Sequence, residues 1–467
     1  MKKLDCLFVN PGEPGSGRNP IPIMPAGLTA IAGYLARHSV RSAIVNLPSA
    51  GRREFDLPAL IRESGARLVG IPAHWHRQAG AAAALAARLK KAVPEVRTVL
   101  GGYTASRFAA EILRGCPAVD FVVRGDGELP MLELVRAAAA GAAALRRVPN
   151  LAWREAGRVR LNPMTYSTSS SGLGIPVTEG LGLILNRDPR PRRGVLCEDG
   201  MFNYLQARGC SESCSACGGG RDFHRKFLGR KGMAIKSPAE QAEDISRLMA
   251  AGFGRVQIPL DPLDSDKYRL GLLSLLARRK KKPVLKMELC GLPSRELLAA
   301  FSRAAADGSG ITVFAGSGSE RVRRLNRGRF YTNAALLSAL KEAGRLGVNV
   351  WVTFTTGLPF ETREDLLETE RLIRLMRSEL GKNRAGVYVF PLEPGSPMFE
   401  SPARYGLKLR RRSFADFLRQ GGRYDIGYST PHFSEREIVR NLKCLERLAA
   451  EPVRPRADRQ LKKKRPL

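Results

Sequence analysis

The sequence is poor in cysteine, in aromatic residues and in negative charge, and it lacks a long apolar run. Eight cysteines in 467 residues cannot staple a disulfide scaffold. The chain must fold on hydrophobic cores, and clustered thiols then read as metal or redox chemistry in a reducing cytoplasm. No stretch approaches the roughly 18 consecutive apolar residues of a membrane span, because Gly and Arg interrupt the Ala-rich runs. The opening Met1-Lys2-Lys3-Leu4-Asp5 has too short an apolar run, and an acid within it, to read as a secretory signal. Aromatics are 7% of the chain and do not interleave with the basic residues, so the stacking platform of an RNA-binding module is missing.

Acids number 44 against 77 Lys and Arg, giving a formal net charge of +33. That charge attracts polyanions. The basic residues are spread along the chain, however, and only Arg454–Arg465 is dense, so an Arg-rich solvated surface accounts for them and nucleic acid is not the favoured partner. A hydrophobic content of 43% excludes a mainly disordered chain, and the length suits about three domains.

Residues 1–145 alternate short apolar runs with helical periodicity. Strands are expected at Leu4–Asn10, Ser42–Asn46, Arg67–Ile71, Thr98–Leu100 and Phe121–Arg124, with helices over Ala26–Arg37, Leu57–Ser64, Ala79–Ala92, Phe108–Leu113 and Leu129–Ala140. This is the pattern of an α/β doubly wound parallel sheet, which binds ligands beyond the carboxyl ends of its strands. Residues 146–200 read as a small hairpin (Leu151–Leu161) and a Ser-, Gly- and Pro-rich linker. From Met201 to about 400 a second alternation supplies six βα units, with strands at Met201–Gln206, Arg255–Pro259, Val284–Glu288, Ile311–Ala315, Val348–Thr355 and Gly386–Phe390. Six units predict a partial barrel instead of a closed eight-unit one. Residues 401–467 read as helical decoration with a basic tail.

Arg208-Gly209-Cys210-Ser211-Glu212-Ser213-Cys214-Ser215-Ala216-Cys217-Gly218-Gly219-Gly220 follows the first strand of the second unit. Three thiols within eight residues can converge on one metal centre, and three glycines let backbone approach a ligand closely. Three ligands on a four-iron cluster would leave one iron open for catalysis. A zinc site with His224 as fourth ligand, or a set of inert thiols, are the competing readings. The loop Gly12-x4-Gly17-Arg18-Asn19 lacks the Lys and hydroxyl of a phosphate loop, and Pro20 and Pro22 obstruct the helix that must follow. No dinucleotide fingerprint stands there either, so nucleotidase and nicotinamide chemistry are excluded.

The spacing Cys-x3-Cys-x2-Cys at the top of the first barrel strand resembles the radical S-adenosylmethionine (SAM) superfamily. Gly357-Leu358-Pro359-Phe360-Glu361-Thr362, Ser317-Gly318-Ser319-Glu320-Arg321-Val322 and Pro391-Leu392-Glu393-Pro394-Gly395-Ser396-Pro397 are similar to its later strand ends. Pro25-Ala26-Gly27-Leu28, Gly101-Gly102-Tyr103-Thr104-Ala105-Ser106 and Val123-Arg124-Gly125-Asp126-Gly127-Glu128 resemble the cobalamin-binding domains that precede some of these barrels. The resemblance spans roughly residues 1–410 and implies a cobalamin-binding-domain radical SAM enzyme. It assigns Cys210, Cys214 and Cys217 to a [4Fe-4S] cluster and Asp261 to the methionyl amino group of SAM. It places Ser317 and Gly357 near the ribose and adenine, and Gly101, Gly102, Gly125, Gly127 and Glu128 at the cobalamin. Glu288, at the end of the third barrel strand, is a candidate cofactor or substrate contact, and Cys290 reads as a buried thiol.

Three departures accompany the likeness. Ala216 replaces a frequent aromatic, Gly316 replaces a frequent acid, and Ile258-Pro259-Leu260-Asp261 replaces Gly-Gly-Glu. The loop Asn10–Asn19 contains no His, so cobalamin would bind without a lower-axial His; His74 and His76 stand at another strand end, where they could face the corrin. The resemblance further implies a reductant such as flavodoxin or ferredoxin. It also implies methyl transfer to an unactivated carbon, although relatives of this layout also carry out rearrangements. RNA modification and a structural zinc protein are the alternatives.

Overall fold

The computed structural model describes residues 3–12, 26–50, 55–138, 140–174, 177–186, 201–259, 266–380, 384–419, 422 and 424–450. Asp261, the basic run Arg454–Arg465 and most of the Gly12–Asn19 loop lie outside these residues. No described helix is long and apolar enough to cross a membrane.

Seven strands form the first sheet: β1 (Cys6–Asn10), β2 (Ser42–Asn46), β3 (Leu68–Pro72), β4 (Arg97–Gly101), β5 (Phe121–Val123), β6 (Leu151–Glu155) and β7 (Arg158–Leu161), in the order β2-β1-β3-β4-β5-β6-β7. The first five are parallel. β1 reads CLFVN and is buried along its whole length. Cys6 and Phe8 enter one core while Leu7 and Val9 enter the other, as a sheet covered on both faces requires. The hairpin β6–β7, expected in the linker, instead extends this sheet antiparallel to β5. Trp153 drives that placement. It pairs with Phe121, is 3% exposed, and donates its indole N–H to Asn162 Oδ1 at 3.2 Å.

The second sheet is built from β8 (Phe202–Asn203), β11 (Arg255–Ile258), β12 (Val284–Leu289), β13 (Gly310–Gly316), β14 (Asn349–Thr355) and β15 (Arg384–Tyr388), all parallel and neighbouring in chain order. This is the expected six-strand partial barrel. Its first strand is shorter than the apolar run Met201–Gln206 suggests. After Asn203 the chain turns outward, and β9 (Ala207–Arg208) pairs antiparallel with β10 (Ala234–Ile235). The turn lifts the cysteine segment to the strand ends.

The C-terminal extension forms a ribbon of β16 (Lys408–Leu409) and β17 (Tyr428–Ser429) and a helix, Glu435–Ala450, that packs along β15 and covers the edge of the barrel sheet. Gly357 after β14 adopts φ +80°, and a Cβ there would lie 2.6 Å from Ile438 Cγ2 on that helix. Its carbonyl accepts from Tyr428 Oη at 3.0 Å. In the same turn Glu361 is fully buried; its Oε2 accepts from Gly357 N at 2.6 Å and Thr356 Oγ1 at 3.0 Å, while Oε1 has no partner among the described residues. Burial outweighs those two hydrogen bonds and raises the carboxyl to about 7 from an ordinary 4.5. Folded Glu361 therefore keeps its proton where the unfolded chain has released it, and stability falls as pH rises between these values. The stability difference between wild type and E361Q, from urea unfolding, should change by about 3 kcal/mol between pH 4.5 and 7, the variant lacking the decline.

The two sheets are joined by a buried ion-pair group. Arg208 ends β9 and donates to Asp126 Oδ1 at 3.0 Å and to both Glu128 oxygens, while Arg230 pairs with Asp126 Oδ2 and donates to the Thr168 carbonyl at 2.8 Å. Glu128 is 2% exposed and also accepts from Thr168 Oγ1 at 3.2 Å. Burial works against the Arg208 charge, and Glu128 and Asp126 more than offset it, holding the guanidinium above its usual range. Backbone also meets closely here, since a Cβ on Gly125 would lie 2.9 Å from the Leu228 carbonyl oxygen. Removing one member strands a buried charge. We expect E128A to destabilise the protein by about 3–5 kcal/mol and to lower its melting temperature, with E128Q, which keeps the shape, losing less; calorimetry of both variants checks this.

Candidate metal centre

Cys210, Cys214 and Cys217 lie on the loop between β9 and the helix Arg221–Phe227. Each sulfur accepts one backbone N–H at 3.4 Å: from Glu212 to Cys210, from Gly219 to Cys217, and from Gly328, beyond β13, to Cys214. Such N–H···S contacts stabilise thiolate and cluster charge. Burial pushes the Cys210 and Cys217 thiols above their ordinary range. Among the described residues no three His, Cys, Asp or Glu side chains converge on the position of a single metal ion. Three thiols on one glycine-rich loop are a donor set that suits a cluster, whose cysteines each bind a different iron. His224, the proposed fourth zinc ligand, is engaged elsewhere, with Nε2 3.1 Å from Tyr103 Oη.

The loop is tied down from three sides. Glu393, on the segment after β15, accepts from Gly218 N at 2.6 Å, and burial raises its carboxyl to about 7. Ser215 donates to Asn326 Oδ1 at 2.6 Å and its N–H to the Asn326 carbonyl at 2.9 Å. Ala216, in place of an aromatic, is 4% exposed within the core. The third side is the N-terminal sheet. Tyr103, at the end of β4, lies against Gly219, where a Cβ would come within 3.1 Å of its ring. Its ring also stacks on His74 with centroids 4.2 Å apart, and His74 meets Trp75 edge-on at 4.8 Å. The carboxyl ends of β3 and β4, where a doubly wound sheet binds its ligand, thus face the cysteine loop directly.

The expected cofactor contacts divide. Gly101 and Gly102 stand at the β4 end; Gly102 takes φ +105°, and a Cβ there would lie 2.5 Å from His74 Cα. Gly125, Gly127 and Glu128 sit at the join between the sheets, Gly127 against Ile31 and Glu128 in the ion-pair group. Ser317 is fully buried, its hydroxyl 3.3 Å from Thr369 Oγ1 and accepting from Ser319 N at 3.1 Å. Gly357 packs beneath the C-terminal helix. Glu288 accepts from Gln257 Nε2 at 2.6 Å. His76 is 3% exposed and packs on Phe417 of the extension. Burial lowers His74 to about 4 and His76 to about 3, so both rings are neutral at pH 7. The sequence reading missed Arg208, Arg230 and Tyr103 as parts of the site. The acid pair in Gly125-Asp126-Gly127-Glu128 facing an Arg just before the first cysteine was the available signal.

A family model described as B12 binding domain matches residues 22–135, and one described as Radical SAM superfamily matches residues 204–373. The chain is 26% identical over 321 residues to an uncharacterized methyltransferase of Pyrococcus horikoshii, PH0819, covering 67% of this chain and 65% of that protein. It is 28% identical over 214 residues to the threonylcarbamoyladenosine tRNA methylthiotransferase MtaB of Treponema pallidum, covering 42% and 40%. The chain therefore spans less than two thirds of the length of either curated relative. Among solved structures it is similar to the radical SAM methyltransferase TsrM of Kitasatospora setae, with a TM-score of 0.70 at 16% identity over 94% of this chain and 88% of that one. It is also similar to the cobalamin-dependent enzyme OxsB, with a TM-score of 0.68 at 14% identity over 94% and 66%. With a B12-binding domain and a radical SAM domain in one molecule, the chain belongs to the cobalamin-binding-domain radical SAM enzymes.

Proposed function

We propose that this chain is a cobalamin-dependent radical SAM methyltransferase acting on an unactivated carbon. The observation that carries the reading is the docking of the cysteine loop on the strand ends of the B12-binding sheet through Tyr103 and Arg208. Methyl delivery needs the two cofactors close together, and this join brings the domains that would hold them into contact. The methyltransferase relative supports the same reaction class.

When bound, the cluster and SAM supply a 5′-deoxyadenosyl radical that removes a hydrogen atom, and cobalamin supplies the methyl group. The chain's own residues bind and orient. Cys210, Cys214 and Cys217 would each hold an iron, with the N–H groups of Glu212, Gly219 and Gly328 on their sulfurs. Glu393 and Asn326 fix the loop. Asp261 would take the methionyl ammonium, since a carboxylate accepts it well. Ser317 and Gly357 would serve ribose and adenine by setting the strand ends, through backbone more than side chain. Gly101 and Gly102 would let the corrin approach β4, while Gly125, Gly127 and Glu128 hold the domain against it. Asn10–Asn19 contains no His, so that loop would offer a bound cobalamin no imidazole. A flavodoxin or ferredoxin would deliver the electron.

Protein purified without oxygen, with cobalamin supplied, should contain about four iron, four sulfide and one cobalt per chain. C210S, C214S and C217S should each lose most of the iron and all reductive SAM cleavage, read by metal analysis and by release of 5′-deoxyadenosine. Zinc in place of iron would overturn the mechanism, and iron without cobalt would remove the methyl-transfer step. Steeply salt-dependent binding to RNA without sequence preference would assign the +33 charge to nonspecific attraction.

A further inference from the structure

Arg327, half-buried with its Nε shut away from solvent, differs in its partners from the other guanidiniums near the site. Arg208 and Arg230 meet carboxylates, and Arg323 donates to the Ser317 and Tyr331 carbonyls and to Asn333 Oδ1. Arg327 has one acceptor among the described residues, the Cys290 carbonyl, 3.4 Å from Nη2, and its buried Nε has none. A guanidinium presents five donors and cannot shed its charge, so a buried one without a counter-charge is strongly disfavoured unless a ligand completes it.

The surroundings say which ligand. Gly328, the next residue, donates its N–H to Cys214 Sγ at 3.4 Å, so a single turn serves both groups. Burial opposes the Arg327 charge, and the Cys214 and Cys290 sulfurs, with the Tyr331 and Tyr388 hydroxyls, more than offset it. No carboxylate is among these groups. Gly316 stands where an acid is frequent in the resembling enzymes, and a Cβ there would lie 3.3 Å from Arg327 Cδ.

We propose that Arg327 is a positioning residue of the metal centre, setting a fixed positive charge beside Cys214 and raising the reduction potential of the cluster that this thiolate helps to hold. The inference rests on the cluster reading of the three cysteines. The physical ground is Coulombic. A cluster gains negative charge on reduction, and a cation held nearby in a low-dielectric setting favours the reduced form.

The test uses the full chain, reconstituted anaerobically with iron and sulfide and kept free of SAM, in a dye-mediated reductive titration followed by electron paramagnetic resonance. R327M should retain its iron but show a more negative midpoint, with reduction about tenfold less favourable, which is about 59 mV for one electron. R327K, which keeps a charge, should stay close to wild type. An unmoved midpoint in R327M with an intact cluster would overturn the inference, as would equal shifts in R327M and R327K, which would mark shape instead of charge. Loss of iron from both variants would likewise reduce Arg327 to a packing element. An unmoved midpoint combined with weakened SAM binding in R327M would identify the methionyl carboxylate as the missing counter-charge, again against the proposal. A wild-type chain that takes up no iron would sink the cluster reading itself, whereas the other adverse outcomes leave that reading standing.

Discussion

The buried ion pairs between Arg208, Arg230, Asp126 and Glu128 are the constraint on which the site depends. Arg208 lies two residues before Cys210, so the charge that fastens the barrel to the N-terminal sheet also fixes where the cysteine loop begins. Charges taken out of water are tolerated only when each finds a partner, and here both carboxylates and both guanidiniums do, with Thr168 accepting and donating the remainder. A geometry of this kind has few alternatives. A small rotation of one sheet against the other would leave at least one charge alone.

Around that join the other contacts are mostly apolar and aromatic. Phe108 of the first sheet's layer meets Phe399, just before the C-terminal extension, and Phe414 and Phe417 within it, and Arg107 pairs with Glu400 at 2.6 Å beside them. The extension thus touches both sheets, covering the barrel edge with one helix and bracing the N-terminal sheet with its aromatic cluster. The cysteine loop lies between these two attachments, held by the ion pairs on one side and by Glu393 on the other.

Much of the fold was legible because it is locally encoded. The helices Ala26–Arg37, Leu57–Ser64 and Ala79–Ala92 have the bounds that periodicity predicts, and β1 announces itself as an unbroken apolar run. The hairpin β6–β7 was legible as a hairpin but not as part of the first sheet, since the apolar run Leu151-Ala152-Trp153 tells that both its faces are buried and not against what. The shortened β8 was hidden by Tyr204 and Leu205, which are apolar but belong to the turn leading to β9. In the site, the cysteines were plain from their spacing. Glu128 was read as a cofactor contact because a Gly-Asp-Gly-Glu strand end has the same composition whether it holds a ligand or a partner domain. Its salt bridge to Arg208 spans 80 residues, and no local pattern reports a pairing at that separation.

The ion-pair join also limits how such chains can be recombined. The cobalamin-type sheet and the barrel look like independent cassettes, each with its own hydrogen-bonded strands. Yet a borrowed sheet without carboxylates in register with Asp126 and Glu128 would leave Arg208 and Arg230 unpaired at the root of the cysteine loop. Modularity in this architecture therefore extends to the strands but stops at the four charged side chains, which have to be inherited together.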